Sequence, residues 1–344
     1  MRKLQLTAVC WMIVSIVNAQ DLHFSQISQM PLLLNPAATG VMDGWERVSL
    51  QHRNQWVGSN GKYNNTMASF DFNVLKSEMN NRGYIGIGGF FFNDVAGDGK
   101  IGRQSGSLSL SGILPMGRNG HSLSAGLQAG FGSSTLNPNA LVFESQWNGT
   151  EFDPTVLSGE NLNNHFTYAD VGAGVLYQLD GGTSSFFGKN HSKFQLGASV
   201  YHVNRPSLKF AAGGTGVLNR KFVFHTMYTK DIADTKVQLE LDAAQFIQGK
   251  QTETIFGAML KYKIRENGNY LGGQSQIGAG LHMRTFDAMV PSVLILMKGF
   301  RFALSYDFTI SALRKAQGGG SFELSMSYTN FKDALFKQRR KYRR

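Results

Sequence analysis

The stretch Phe300-Arg301-Phe302-Ala303-Leu304-Ser305-Tyr306-Asp307-Phe308-Thr309-Ile310 decides the fold. Its large apolar side chains share one parity, and its small or polar ones share the other. A repeat of two residues is an extended strand with one apolar face and one wet face. Phe322, Leu324, Met326 and Tyr328 repeat the pattern against Glu323, Ser325, Ser327 and Thr329. Further back, Leu123, Leu127 and Phe131, then Val171, Val175 and Leu179, then Phe194, Leu196 and Val200 alternate in the same way. Segments at 45–56, 63–75, 83–93, 102–114, 220–230, 236–247, 253–264, 271–284 and 288–297 bring the number of strands to about fourteen. Soluble sandwiches share this period. Here it runs almost to the end of the chain with no helical segment between strands, and an even strand count suits a closed single-chain bacterial barrel. The expectation is an all-β, transmembrane, antiparallel up-and-down barrel of about 14 strands.

Connection lengths give an independent check. The longest gaps, about 134–164 and 203–219, fall on the fifth and seventh connections. Short links at Pro115–Asn119, Asp231–Asp234 and Lys298-Gly299 fall on even ones, and a longer link at about 180–192 departs from the rule. Long connections on one side and short turns on the other are the habit of outer-membrane barrels.

The chain has 344 residues with 40 Gly, 25 Phe and 7 Pro, and its mean hydropathy is -0.19. After the start there is no apolar run of about 18 residues, which excludes spanning by helices. Met1-Arg2-Lys3, an apolar core from Leu4 to Val17 and Asn18-Ala19-Gln20 read as a secretory signal peptide over 1–20. The only cysteine, Cys10, lies inside it, so the mature chain is expected to have no disulfide or thiol chemistry. The remainder divides into a periplasmic N-terminal segment at 21–44, the barrel at 45–331 and a basic periplasmic tail at 332–344. Part of the net charge of +11 sits in that tail, from Lys337 to Arg344. A solvated end is its plain meaning; an anionic surface, an acidic partner or cell-wall polymer are sharper ones. The export signal argues against nucleic acid.

Little in the chain points to chemistry. Gly83-Tyr84-Ile85-Gly86-Ile87-Gly88-Gly89 is glycine-rich but lies within a strand, with no helix following to cradle a phosphate. Asn93 to Gly99 lacks the oxygen spacing and distal Glu of a calcium loop and reads as a turn. The eight histidines are scattered without a Ser/His/Asp grouping. No enzyme activity, cofactor or metal is expected. Trp45, Trp56, Tyr168, Tyr228, Tyr262 and Tyr328 stand near strand ends, where an interfacial aromatic girdle would form.

Phe24-Ser25-Gln26, then Pro31-Leu32-Leu33-Leu34-Asn35-Pro36-Ala37-Ala38-Thr39-Gly40, then Arg53-Asn54-Gln55-Trp56 resemble the opening of the PorP/SprF family. Gly319 to Tyr328 is similar to that family's closing strand. The resemblance implies an outer-membrane component of the type IX secretion system of Bacteroidetes. Such a protein supports secretion or surface attachment of a large partner, such as a gliding-motility adhesin. The implied partners are that secreted protein, other secretion components and outer-membrane lipid. Both mature termini are expected in the periplasm. A passive channel or solute transporter is the alternative, and an outer-membrane hydrolase a third.

Within the leading motif, Pro36 pushes Asn35 out of the helical region and Gly40 can turn left-handed. Residues 31–40 are therefore expected to pack against or into the periplasmic mouth. Parity places Arg47 and Arg53 in the lumen, where Asp307 and Glu323 could pair with them and tie the first strand to the last two. Trp147 and Phe152, in the longest loop, are candidate partner anchors.

Overall fold

Each strand hydrogen-bonds antiparallel to its sequence neighbour, and the first pairs with the last. The structure is a computed structural model that describes residues 24–55, 63–76, 82–96, 101–117, 120–153, 155–181, 191–210, 216–265, 275–311, 320–332 and 334. The first seven strands are β1 (Glu46–Gln55), β2 (Tyr63–Val74), β3 (Tyr84–Ala96), β4 (Ile101–Met116), β5 (His121–Thr135), β6 (His165–Asp180) and β7 (Ser192–Tyr201). The closed barrel is completed by β8 (Lys221–Asp231), β9 (Val237–Gln248), β10 (Gln251–Arg265), β11 (Ser275–Arg284), β12 (Ala288–Met297), β13 (Phe300–Thr309) and β14 (Ser321–Asn330). The glycine-rich run at 83–89 enters β3, as its alternation requires. Asn93–Ala96, read from sequence as part of a turn, instead extends that strand, because each residue pairs across to β4.

Parity sorts the faces. Leu108, Leu127 and Phe131 are 68%, 65% and 60% exposed, whereas Ser107, Ser109 and Gln128 beside them are buried. Leaving so much apolar surface in water would be unfavourable by about 25 cal/mol per Å². A closed sheet with satisfied backbone groups and an apolar exterior is the form that lipid solvates. Tyr168 departs from the girdle expectation: its even parity in β6 points it inward, and it is buried. Tyr262 and Tyr328 do face outward, 48% and 41% exposed. Trp56 and the expected signal segment at 1–20 lie outside the described residues, as does most of the basic tail.

The two rims differ. One, the loop end, carries the connections at 136–164 and 202–220 together with the tight links Gly249-Lys250 and 285–287. The other, the turn end, carries the even-numbered connections, the shortest being Lys298-Gly299.

The segment expected to pack against or into a mouth of the barrel lies within it. Residues 24–42 thread the lumen, as a 3-10 turn at Ile27–Gln29, a single helical turn at Pro31–Leu34 and a 3-10 turn at Pro36–Ala38. The described part of the segment expected at 21–44 thus lies inside the barrel, further in than an entry segment packed at its mouth. The apolar side chains Ile27, Met30, Leu32, Leu34 and Ala37 are all buried, and only the lumen offers them cover. The strap leaves at the turn end, where Trp45 N–H donates to Asn330 O at 2.8 Å and Lys76 Nζ to Met42 O at 2.7 Å.

A lumenal strap and a recess at the loop end

An irregular segment can be buried only if its backbone polar groups find partners. The barrel wall supplies them from its small inward residues. Ser199 Oγ donates to Leu34 O at 2.6 Å, Ser124 Oγ to Ala37 O at 2.7 Å and Ser111 Oγ to Thr39 O at 2.6 Å. Where the strap runs closest there is no room for a side chain: a Cβ on Gly126 would overlap the Pro36 carbonyl, and one on Gly174 would overlap Asn35 Oδ1.

Asn35 is fully buried and extended, with φ -160° and ψ 121°, as its proline neighbour dictates. Its Oδ1 accepts from Ala37 N–H at 2.9 Å and so caps the Pro36–Ala38 turn. Its Nδ2 donates to Val175 O at 2.8 Å and lies 3.2 Å from His225 Nε2. Gly40 takes the left-handed conformation, φ +71°, and its N–H donates to Asp71 Oδ2 at 2.8 Å.

At the loop end the strap meets a cluster of buried charges. Arg53 Nη2 is 3.0 Å from Asp307 Oδ2, and its Nε is 3.3 Å from Glu323 Oε1. Arg284 Nη2 reaches Asp307 Oδ2 at 3.1 Å. Two cations thus face two anions, drawn from β1, β11, β13 and β14. Into them runs the strap: Ser25 N–H donates to Glu323 at 2.9 and 3.0 Å, and Ser25 Oγ to Asp307 Oδ2 at 3.0 Å. Arg53 is opposite Glu323 in the register of the β1–β14 seam, so the cluster straddles the line where the barrel closes.

Arg47 does not join them. Six residues along a strand span about 20 Å, which puts Arg47 at the turn end, where its Nε and Nη2 pair with Asp71 at 2.9 and 2.7 Å. Asp71, Arg284, His225 and the three serines were missed from sequence. Their signal was the inward parity itself, which marks a wall of Ser and Gly but not what that wall holds.

Between the strap and the loop end lies a small recess whose walls include Leu33, Phe92, Arg103, Gln128, Tyr168 and Lys221. The two long loops are woven together above this side of the barrel. Asn163 N–H donates to Phe210 O at 2.9 Å, its Nδ2 to Lys209 O at 2.6 Å, and Phe166 stacks edge-on against Phe210. Trp147 and Phe152 form a T-shaped pair 5.0 Å apart and stay 48% and 52% exposed. Among the described residues no group of three His, Cys, Asp or Glu is placed to hold a metal.

A closed fourteen-stranded sheet with an apolar belt, unequal rims and a filled lumen defines an outer-membrane β-barrel. Residues 16–328 match the family described as type IX secretion system membrane protein PorP/SprF, and the chain belongs to that family. Curated proteins give no match. Among solved structures the chain is similar to the toluene transporter TbuX of Ralstonia pickettii, at 13% identity and a TM-score of 0.48, over 91% of this chain and 96% of that one. It is also similar to the transport unit of the autotransporter AIDA-I from Escherichia coli, at 9% identity and a TM-score of 0.40, over 94% and 97% of the two chains. The translocator domain of NalP from Neisseria meningitidis follows at 11% identity and a TM-score of 0.41, over 83% and 88%.

Proposed function

We propose that this barrel is a non-enzymatic docking component that supports secretion or surface attachment of a large partner protein, a gliding adhesin being the type of cargo in view. The loop end faces outward and presents the partner surface; the turn end, with the C-terminal tail, faces the periplasm and the other secretion components. Phe24, at the far end of the strap, then lies toward the outer mouth rather than in the periplasm.

The observation that carries this reading is the pairing of a lumen filled by the chain's own strap with an ordered outer loop that leaves aromatic surface uncovered. An open diffusion pore needs a path along the lumen that the strap occupies, and it needs no uncovered aromatic loop surface. Exposed apolar side chains on a braced loop are what an interface anchor requires. Deleting the gene and comparing surface proteins and solute uptake tests the reading. Loss of one large surface protein with uptake unchanged supports docking; unchanged surface proteins with impaired uptake would replace it with transport.

A further inference from the structure

We propose that the turn-end rim, where the β12–β13 hairpin meets the end of β14, binds the headgroup of an anionic phospholipid in the adjacent leaflet. This site is independent of the docking function proposed above. A fixed backbone brings two lysines together there. Lys298 takes the left-handed position of the Lys298-Gly299 hairpin, φ +52°. Gly299 is pressed onto β14: its carbonyl accepts from Thr329 N–H at 2.9 Å, and a Cβ on it would lie 2.5 Å from Thr329 O. Lys298 is thus held beside the chain that leaves β14 through Phe331 and Lys332. Both lysines are exposed, and among the described residues neither ammonium has a partner. The carboxylate at this seam, Glu46, is engaged by Asn330 Nδ2 at 2.7 Å.

The surface next to these lysines faces lipid. Phe300 and Tyr328 share the outward parity of Leu304 and Met326, are 48% and 41% exposed, and lie with ring centroids 4.6 Å apart. Aromatic rings at strand ends settle at headgroup depth, and a lysine stem can lie along them while its ammonium reaches the phosphate layer. The charge of the rim is also one-sided. Among the described residues the exposed cations of the turn end are Arg82, Lys230, Lys236, Lys298 and Lys332. Its exposed carboxylates are Asp234 and Asp43, and Lys193 engages the latter. The sequence beyond the seam adds to the excess: from Lys332 to Arg344 it holds seven Lys or Arg and one acid, Asp333. A basic run directly beside a spanning segment favours anionic headgroups. A zwitterionic headgroup would bring its own ammonium to the two lysines, whereas phosphatidylglycerol brings only the phosphate charge. An acidic protein segment would satisfy the cations, but Phe300 and Tyr328 point into the bilayer, where a lipid contacts rings and ammoniums together.

The test uses the full mature chain in detergent micelles doped with equal amounts of phosphatidylglycerol and phosphatidylcholine, with retained lipid counted by native mass spectrometry. Phosphatidylglycerol should be retained about fivefold over phosphatidylcholine, the factor that a lysine near an anionic surface supplies. Lys298→Gln combined with Lys332→Gln should bring that ratio close to unity, while Lys298→Arg with Lys332→Arg should preserve it. Lys230→Gln, on the same rim but at the end of β8, should leave it unchanged. Removing residues 333–344 should lessen the preference without abolishing it. Heat-modifiable migration on gels verifies that each variant is still a closed barrel. Equal retention of the two lipids by the unaltered chain would overturn the proposal, and so would a preference that survives the Gln pair. A preference lost with the tail alone, both lysines in place, would move the binding off the rim and overturn the site. Displacement of phosphatidylglycerol by the same concentration of acetyl-Asp-Asp-Asp-Asp-amide would reassign the rim to an acidic protein segment.

Discussion

The strap and the loop at 136–164 are both irregular segments outside the sheet, yet they solve the same problem in opposite ways. The strap is apolar and buried, and its carbonyls are met by hydroxyls of a wall it does not belong to. The loop meets its own needs: Asn148 Oδ1 accepts from Thr150 and Glu151 N–H at 2.9 Å each, and Asp153 Oδ1 from Thr155 N–H at 2.9 Å. Its aromatic side chains are then spare. The difference teaches that apolar residues in this barrel carry two meanings. Inside they hold a plug in place, and on the loop Trp147 and Phe152 pair with one another and stay half exposed.

The largest effect should come from removing the strap. Deleting residues 24–42 leaves the wall serines and the charged cluster facing open space. The shortened barrel should then give steady conductance in planar bilayers where the full chain gives none. A deleted barrel that is still heat-modifiable but electrically silent would show that something other than the strap fills the lumen. Next in size is the buried cluster. Removing one partner of a buried ion pair leaves the other uncompensated, at about 3–5 kcal/mol. Arg53→Leu should cost that much in a urea unfolding series in detergent, and Glu323→Leu should cost less once Arg53 is gone. Losses that simply add would break the claim that these residues act as one unit across the seam.

The loop should behave in the reverse sense. Trp147→Ala touches a half-exposed side chain, so unfolding should shift by no more than about 0.5 kcal/mol. Retention of the surface partner should fall by a factor corresponding to about 2 kcal/mol if Trp147 anchors it. A variant that loses stability but keeps its partner would exchange the roles of the two regions.

Strand number, alternation and the unequal rims were legible because each follows from a period of two and from loop length, both properties of local sequence. The meeting of Arg53 with Asp307 and Glu323 was legible for the same reason: parity turned them inward and closure brought β1 to β13 and β14. The strap was not. Nothing local separates a segment outside a barrel mouth from one that threads the lumen. The distinction lies in matching Ser111, Ser124 and Ser199 on three separate strands to three carbonyls of a distant segment. Tyr168 shows the complementary limit, since position near a strand end suggested a lipid-facing ring while its parity, the stronger constraint, sent it to the lumen.

The smallest expected effect sharpens the comparison at the turn end, where the strap leaves the barrel. Asp43 pairs with Lys193 at 2.7 Å, and the Lys193 ammonium is the main reason its carboxyl is held down at about 2. A depressed acid contributes stability above its unfolded value of 3.8, and that contribution is lost as pH falls toward about 2. His191, in the β6–β7 connection, is raised chiefly by its hydrogen bond to Asp180, 3.0 Å away. A raised histidine contributes below its unfolded value of 6.5 and loses that contribution as pH rises through its folded one. Together they predict a shallow stability maximum between roughly pH 4 and 6.5. The side chains of Asp43 and His191 are 45% and 37% exposed, so solvent screening holds each contribution below about 1 kcal/mol. Unfolding midpoints between about pH 3 and 8 should lose the acid limb in Asp43→Asn and the alkaline limb in His191→Gln. Because Asp43 holds only the strap's exit and His191 only the neighbouring β6–β7 connection, neither substitution should open the lumen. Conductance appearing in Asp43→Asn alone would mean that the strap is retained from the turn end, against the weight of bonds counted at the other.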